Sequence, residues 1–204
     1  MKLKILAVAA IALLAAGCAS VSEQETAKKA LEVMKTSFKE RGQAKLDRLD
    51  QDDAQRLCSQ PPSAAIAKET GERIEKSNFT AIKYPADGKI LGDWREGEKI
   101  AQSGIGKQYS DDPKRPSGGN CYACHQLRKE EISFGTMGPS LYNYGKLRGT
   151  SEAIQRYTWG KIWNAQAFTA CSNMPRFGHN GILTEQQIRH VAALLLDPNS
   201  PVNK

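Results

Sequence analysis

Five consecutive residues, Cys121-Tyr122-Ala123-Cys124-His125, combine two thiols separated by two residues with an imidazole directly after the second. This is the spacing of a c-type haem attachment site. One turn of chain presents both sulfurs to the two vinyl groups of a haem, and the adjacent imidazole then falls beneath the iron. The competing readings of Cys121 and Cys124 are a zinc site and a thiol redox pair. A tetrahedral zinc site wants a second pair of ligands, and the sequence offers none. The expected cofactor is one covalent haem c, anchored by Cys121 and Cys124, with His125 as an iron ligand.

The opposite face of the iron has four candidate ligands, Met137, Met174, His179 and His190. His190 sits between Ile188 and Val191 in a helical pattern, which suits a packing or surface role. Met137 directly precedes Gly138-Pro139-Ser140-Leu141, a stretch that resembles the proximal loop of class I cytochromes c. There a proline carbonyl accepts a hydrogen bond from the ligating imidazole, fixing the ring and raising its basicity. Pro139 would take that role, and Met137 would then lie on the wrong side of the ring. Met174, in Ser172-Asn173-Met174-Pro175-Arg176-Phe177, is followed by a proline that stiffens a non-helical loop. A thioether held there stabilises ferrous over ferric iron, the tuning wanted for electron transfer. Met174 is the expected ligand, and His179, on a glycine-bounded turn, is the alternative.

Three sections must position these residues. Lys2 and Lys4 precede an apolar run, Ile5 to Ala16, too short to span a bilayer but suited to an export signal. It ends in Leu14-Ala15-Ala16-Gly17-Cys18, which resembles a lipoprotein signal, so residues 1–17 read as leader and Cys18 as the lipidated mature N-terminus. Ordinary cleavage near Ala19 or Ser20, without lipid, is the alternative. Residues 18–90 read as a charged helical extension. Ala27, Leu31, Met34 and Phe38 recur at helical spacing, then Leu46, Leu49 and Leu57 follow a break near Gly42. Pro61-Pro62 stops that segment, and Ser63 could cap a helix carrying Ile66, Ala67 and Ile74. The stripe is narrow for an independent core, so the extension is expected to pack on the following domain or wrap a partner chain.

Residues 91–200 are long enough for one small haem domain. Asp93 can cap a helix running to about Ala101, and Thr150 or Ser151 another with Ile154, Tyr157 and Ile162 on one side. Thr184 and Gln187 form a capping-box pattern before a last helix that ends at Asp197-Pro198. Residues 201–204 read as a short tail. No strand-period pattern occurs, so the expected fold is all-α, a class I mono-haem cytochrome c fold with an N-terminal helical extension.

Export permits disulfides. With Cys18 processed and Cys121 and Cys124 consumed by haem, Cys58 and Cys171 form one even pair. A bridge between them would close a loop of over a hundred residues and contribute about 4 kcal/mol in the chain-entropy view. Two buried thiols or a bridge to another chain are the alternatives. The formal charge of +7 falls to +5 once Lys2 and Lys4 are removed. Residues 107–176 hold ten Lys or Arg against five Asp or Glu, and residues 19–90 hold thirteen against twelve. A basic surface around a haem edge can steer an acidic partner, and nothing indicates nucleic acid.

Gly119 to His125, Met137 to Leu141, Ser172 to Gly178 and the run Leu183-Thr184-Glu185-Gln186-Gln187-Ile188 together resemble the sulfur-oxidation cytochromes of the SoxX family. The likeness covers about residues 91–200. It implies a periplasmic heterodimer with a larger haem-bearing SoxA-type subunit, acting as an L-cysteine S-thiosulfotransferase. That complex joins thiosulfate oxidatively to a cysteine of a SoxY-type carrier protein, and this chain would take the electrons and pass them to a downstream acceptor. It further implies Cys121 and Cys124 as haem anchors, His125 and Met174 as axial ligands, and Pro139 as the orienter of His125. The substrate-reactive cysteine would lie on the partner, leaving no catalytic residue here. Two other functions fit the residues: a free-standing, lipid-tethered electron shuttle for another respiratory enzyme, and an enzyme using Cys171 as a nucleophile.

Overall fold

The computed structural model describes residues 22–59 and 66–204. The leader 1–17, the lipidation candidate Cys18, Pro61-Pro62 and the candidate cap Ser63 lie outside the described residues. Among the described residues the regular structure is helical, with no strand and one isolated bridge between Arg41 and Ala44.

Helix α1 spans Glu23–Ser37, opened by Ser22, whose hydroxyl accepts the Glu25 amide at 3.2 Å. None of its residues is buried, and Leu31, Val33, Met34 and the following Phe38 are exposed apolar side chains. Such a helix draws little stability from packing, and at this length propensity alone gives marginal order in water. A 3₁₀ turn, Leu46–Leu49, comes next. Residues 41–48 run beside the loop at 107–111. The Arg41 guanidinium lies 4.2 Å from the Tyr109 ring centre, and Gln43 Nε2 donates to the Gln108 carbonyl at 2.8 Å.

Helix α2, Asp53–Cys58, starts in a capping box: Asp52 accepts the Gln55 amide and the Gln55 side chain accepts the Asp52 amide, both at 2.8 Å. Helix α3, Lys68–Thr80, begins after Ala67 with no side-chain cap. Ile66 and Ala67, expected within this helix, therefore precede it. Its inward positions are Ile74 and Asn78.

The expected boundary at residue 90 needs correction. Ile74, Ile82 and Ile90 are buried, Trp159 Nε1 donates to the Lys83 carbonyl at 2.9 Å, and Asn164 Nδ2 donates to Asn78 Oδ1 at 2.8 Å. Residues 68–90 thus pack into the body of the domain, the first of the two placements expected for the extension. Their stripe looked narrow because Asn78 takes a core position and satisfies its amide there.

The body is built on helices α4 (Trp94–Gln102), α5 (Tyr144–Arg148), α6 (Glu152–Trp163) and α7 (Glu185–Leu196). Their caps are Asp93 for α4, Ser151 for α6, and Thr184 with Gln187 for α7. Helices α4 and α7 form the principal crossing. Gly97 permits it, since a Cβ there would stand 2.1 Å from the His190 carbonyl oxygen. Trp159, Leu127, Ile188, Leu194 and Leu196 are fully buried around this crossing. Each such side chain removes enough apolar surface from water to contribute on the order of 1.5–3 kcal/mol.

The C-terminus also differs from the expected tail. Pro201–Asn203 form a 3₁₀ turn, with Val202 and Asn203 buried. Asn203 Oδ1 accepts the Gly145 amide at 2.8 Å, while its Nδ2 donates to the carbonyls of Leu195 at 3.0 Å and Asp197 at 2.9 Å. With the Lys146 amide also donating to Oδ1 at 3.2 Å, a polar residue that satisfies four backbone groups belongs inside a fold, although its type alone reads as surface.

Candidate functional site

The Cys121–Ala123 segment is a single 3₁₀ turn entered from Asn120, which has a left-handed φ of 47°. The Cys121 carbonyl accepts the amides of Cys124 at 3.1 Å and His125 at 2.9 Å, so both thiols and the imidazole leave one compact loop. A second loop lies along the first. The amides of Gly135, Gly138 and Leu141 donate to the carbonyls of Tyr122, Cys124 and Gln126 at 3.2, 2.8 and 2.8 Å. This register brings Pro139 to His125, whose Nδ1 is 2.7 Å from the Pro139 carbonyl oxygen. A carbonyl carries no proton, so Nδ1 donates, and the lone pair of the neutral ring resides on Nε2. Such a hydrogen bond fixes the ring orientation, as second partners of metal-binding imidazoles do.

Gly138 makes this approach possible. A Cβ at that position would lie 2.2 Å from His125 Cε1. The need for glycine there could have been inferred from the Gly138-Pro139 pair, but the clash itself is a property of the folded loops.

Met174 lies half-buried on the loop between α6 and α7 and lines the same cavity as His125. Cys121, Cys124, His125, Pro139, Met174 and Leu195 line a single cavity of about 590 Å³. That volume falls in the usual range for cofactor and ligand sites, roughly 300–1,000 Å³. Arg148, Thr158 and Lys161 also line it. Burial lowers the Lys161 ammonium pKa, with Glu75 opposing that shift.

Of the remaining candidate ligands, Met137 lines the cavity but is 75% exposed and adjoins Gly138 on the His125 side. His179 and His190 are not among the lining residues. His190 lies on α7 against the start of α4, where its Nδ1 accepts the Asp93 amide at 2.8 Å and its Nε2 lies 3.1 Å from Gln186. His179 sits on an exposed turn beside Arg176 and Asp52.

The other readings of the cysteines find no support in this geometry. Burial pushes the Cys121 thiol up to about 12, opposite to the depressed values of reactive redox pairs. Among the described residues no cluster of His, Cys, Asp and Glu could hold a metal ion by itself. Cys58 and Cys171 are joined in a disulfide, so Cys171 presents no free thiol.

Residues remote from the cavity support its Met174 side, and no local sequence signal marks them. The buried Arg176 pairs with Asp52, and Glu75 Oε1 accepts the Ala170 amide at 2.9 Å. Burial works against the charge of Asp52, but the Gln55 amide and the Arg176 guanidinium outweigh it and hold the carboxyl below its ordinary value.

The cavity fits a haem: two thiols at one wall, an oriented imidazole beside them, a thioether on the same cavity and largely apolar surroundings. Residues 96–197 match the family model described as Cytochrome c. Over 157 residues the chain is 39% identical to a protein of Aquifex aeolicus (strain VF5) described as an uncharacterized lipoprotein, covering 76% of this chain and 73% of that one. With half of its length matched by that model, the chain belongs to the cytochrome c family, whose cofactor is a covalently bound haem c.

Proposed function

We propose that Cys121 and Cys124 carry the haem through thioether links, that His125 and Met174 cap its iron, and that the chain is the electron-accepting subunit of an exported sulfur-oxidising complex. The observation that carries the ligand assignment is the placement of Met174 and an oriented His125 on one cavity. A haem held between an imidazole and a thioether exchanges single electrons at a raised potential, and its filled coordination sphere leaves no site for substrate. The chain's own residues do the rest. Pro139 fixes the imidazole ring, and Leu127, Phe177, Leu183 and Leu195 form an apolar backing that limits water. The basic excess of residues 107–176 gives an acidic partner a surface to approach.

The sulfur-oxidation reading rests on the SoxX-type segments around Cys121, Pro139, Met174 and Thr184. In that reaction thiosulfate forms a sulfur–sulfur bond with a carrier-protein thiol, releasing one proton and two electrons, and this chain accepts the electrons one at a time. The substrate-reactive cysteine belongs to the larger haem-bearing partner. Helix α1, with Leu31, Met34 and Phe38 uncovered, is the part of the extension left available to that partner.

A second reading, a lipid-tethered shuttle for another respiratory enzyme, draws support from the lipoprotein description of the Aquifex relative and from the Ala16-Gly17-Cys18 sequence. Purification from the native host separates the two. The first reading expects a larger haem-bearing subunit to accompany the chain and the pair to support thiosulfate-dependent electron release. Recovery of the chain alone, with that activity intact in its absence, would contradict it.

A further inference from the structure

The loop that bears Met174 is fastened on both sides by residues far away in sequence. Three positions before Met174, Cys171 is bonded to Cys58, across a separation of 113 residues. Two positions after it, Arg176 pairs with Asp52. Asp52 caps α2 and Cys58 ends it, so one helix of six residues holds the loop at two points that bracket the thioether. A third hold comes from α3, where Glu75 accepts the Ala170 amide at 2.9 Å.

The loop needs such support. Cys171 has a left-handed φ of 59°, a conformation that is strained for a residue with a Cβ. Within the loop, the Met174 amide has only a 3.3 Å contact with the Ser172 hydroxyl. The His125 side contrasts with this, because its loops hold each other through backbone hydrogen bonds.

The geometry points to α2 as a strut whose ends, Asp52 and Cys58, are positioning residues that keep the Met174 thioether against the haem iron. The inference rests on the assignment of Met174 as the iron ligand. Without the strut the loop opens more often, and the sulfur leaves the iron for a larger fraction of the time. An exogenous ligand binds only the open form, so its apparent affinity reports that fraction directly.

The test measures imidazole binding to the ferric holoprotein and the weak far-red sulfur-to-iron absorption band, at a temperature well below unfolding. It compares wild type, Cys58→Ser/Cys171→Ser and Asp52→Asn. The expected result is a far-red band in wild type and imidazole affinity raised roughly tenfold in the double variant and roughly threefold in Asp52→Asn. A purely stabilising role would lower the melting temperature of the variants yet leave their imidazole affinity at the wild-type value, and that result overturns the strut. Should the double variant not fold, unchanged affinity in Asp52→Asn overturns it alone. A wild type without the far-red band would remove the ligand assignment itself, and the strut's role with it.

Discussion

The two faces of the cavity are built in opposite ways. The His125 face is assembled from residues 121–141, two loops zipped together by short backbone hydrogen bonds. The Met174 loop has a few backbone hydrogen bonds of its own, such as Gly178 to the Trp163 carbonyl at 3.1 Å, and is further fastened by Asp52, Cys58 and Glu75, reached across 124, 113 and 95 residues. Closing a short loop costs little chain entropy, and closing a long one costs more and needs a stronger fastener, here a disulfide with an ion pair between the buried Arg176 and the exposed Asp52. The contrast assigns the faces different duties. One is set by local geometry, and the other can be tuned from a distance through α2.

The largest test removes what both faces share. Cys121→Ala/Cys124→Ala, matured in a bacterium competent for c-type attachment, is expected to yield protein at its bare polypeptide mass, while wild type gains the mass of one haem. Next in size is the long-range fastener. Cys58→Ser/Cys171→Ser is expected to lose about 4–5 kcal/mol of stability in denaturant titrations, given its 113-residue separation. The hydrogen bond from His125 to Pro139 should survive this change, since its loops are held by backbone hydrogen bonds within residues 121–141.

A complementary change strikes only the local face. Gly138→Ala forces a Cβ into the imidazole and is expected to cost about 1–3 kcal/mol, read as reduced holoprotein stability and an altered potential. Imidazole affinity in this variant should follow the His125 face and not mimic the strut variants.

The smallest effect is a dependence on pH. The Asp52 carboxyl is held below its ordinary value of 3.8, so its contribution to stability is present above that value and is lost as acid protonates it in the folded protein. The stability gap between wild type and Asp52→Asn should therefore be full at neutral pH and close as the pH falls below about 4, measured by denaturant midpoint at each pH.

The same contrast decides how much could be read from the sequence. Cys121, Cys124, His125 and Pro139 could be grouped from the sequence because their spacing is the geometry, and the fold brings them to one cavity. The caps at Asp93, Ser151 and Thr184 are legible for the same reason, each acting within three residues. Met174 stands out by its proline and its place before the last helix, and the fold sets it on the same cavity. The partners of its loop could not, apart from the cysteine pair, because nothing near Asp52 or Glu75 in sequence points to residues 170–176. Asn78 and Asn203 misled in a related way. Both are polar by type and buried in fact, since each finds hydrogen-bond partners that only the folded chain provides. For that reason residues 68–90 looked separable and residues 201–204 looked like a tail.

The ferric absorption spectrum of Met174→His beside wild type bears most directly on the iron's coordination. A thioether-ligated iron gives wild type a weak far-red band, which the variant loses while keeping a six-coordinate spectrum. Survival of that band in Met174→His, or its absence from wild type, would contradict a Met174 ligand.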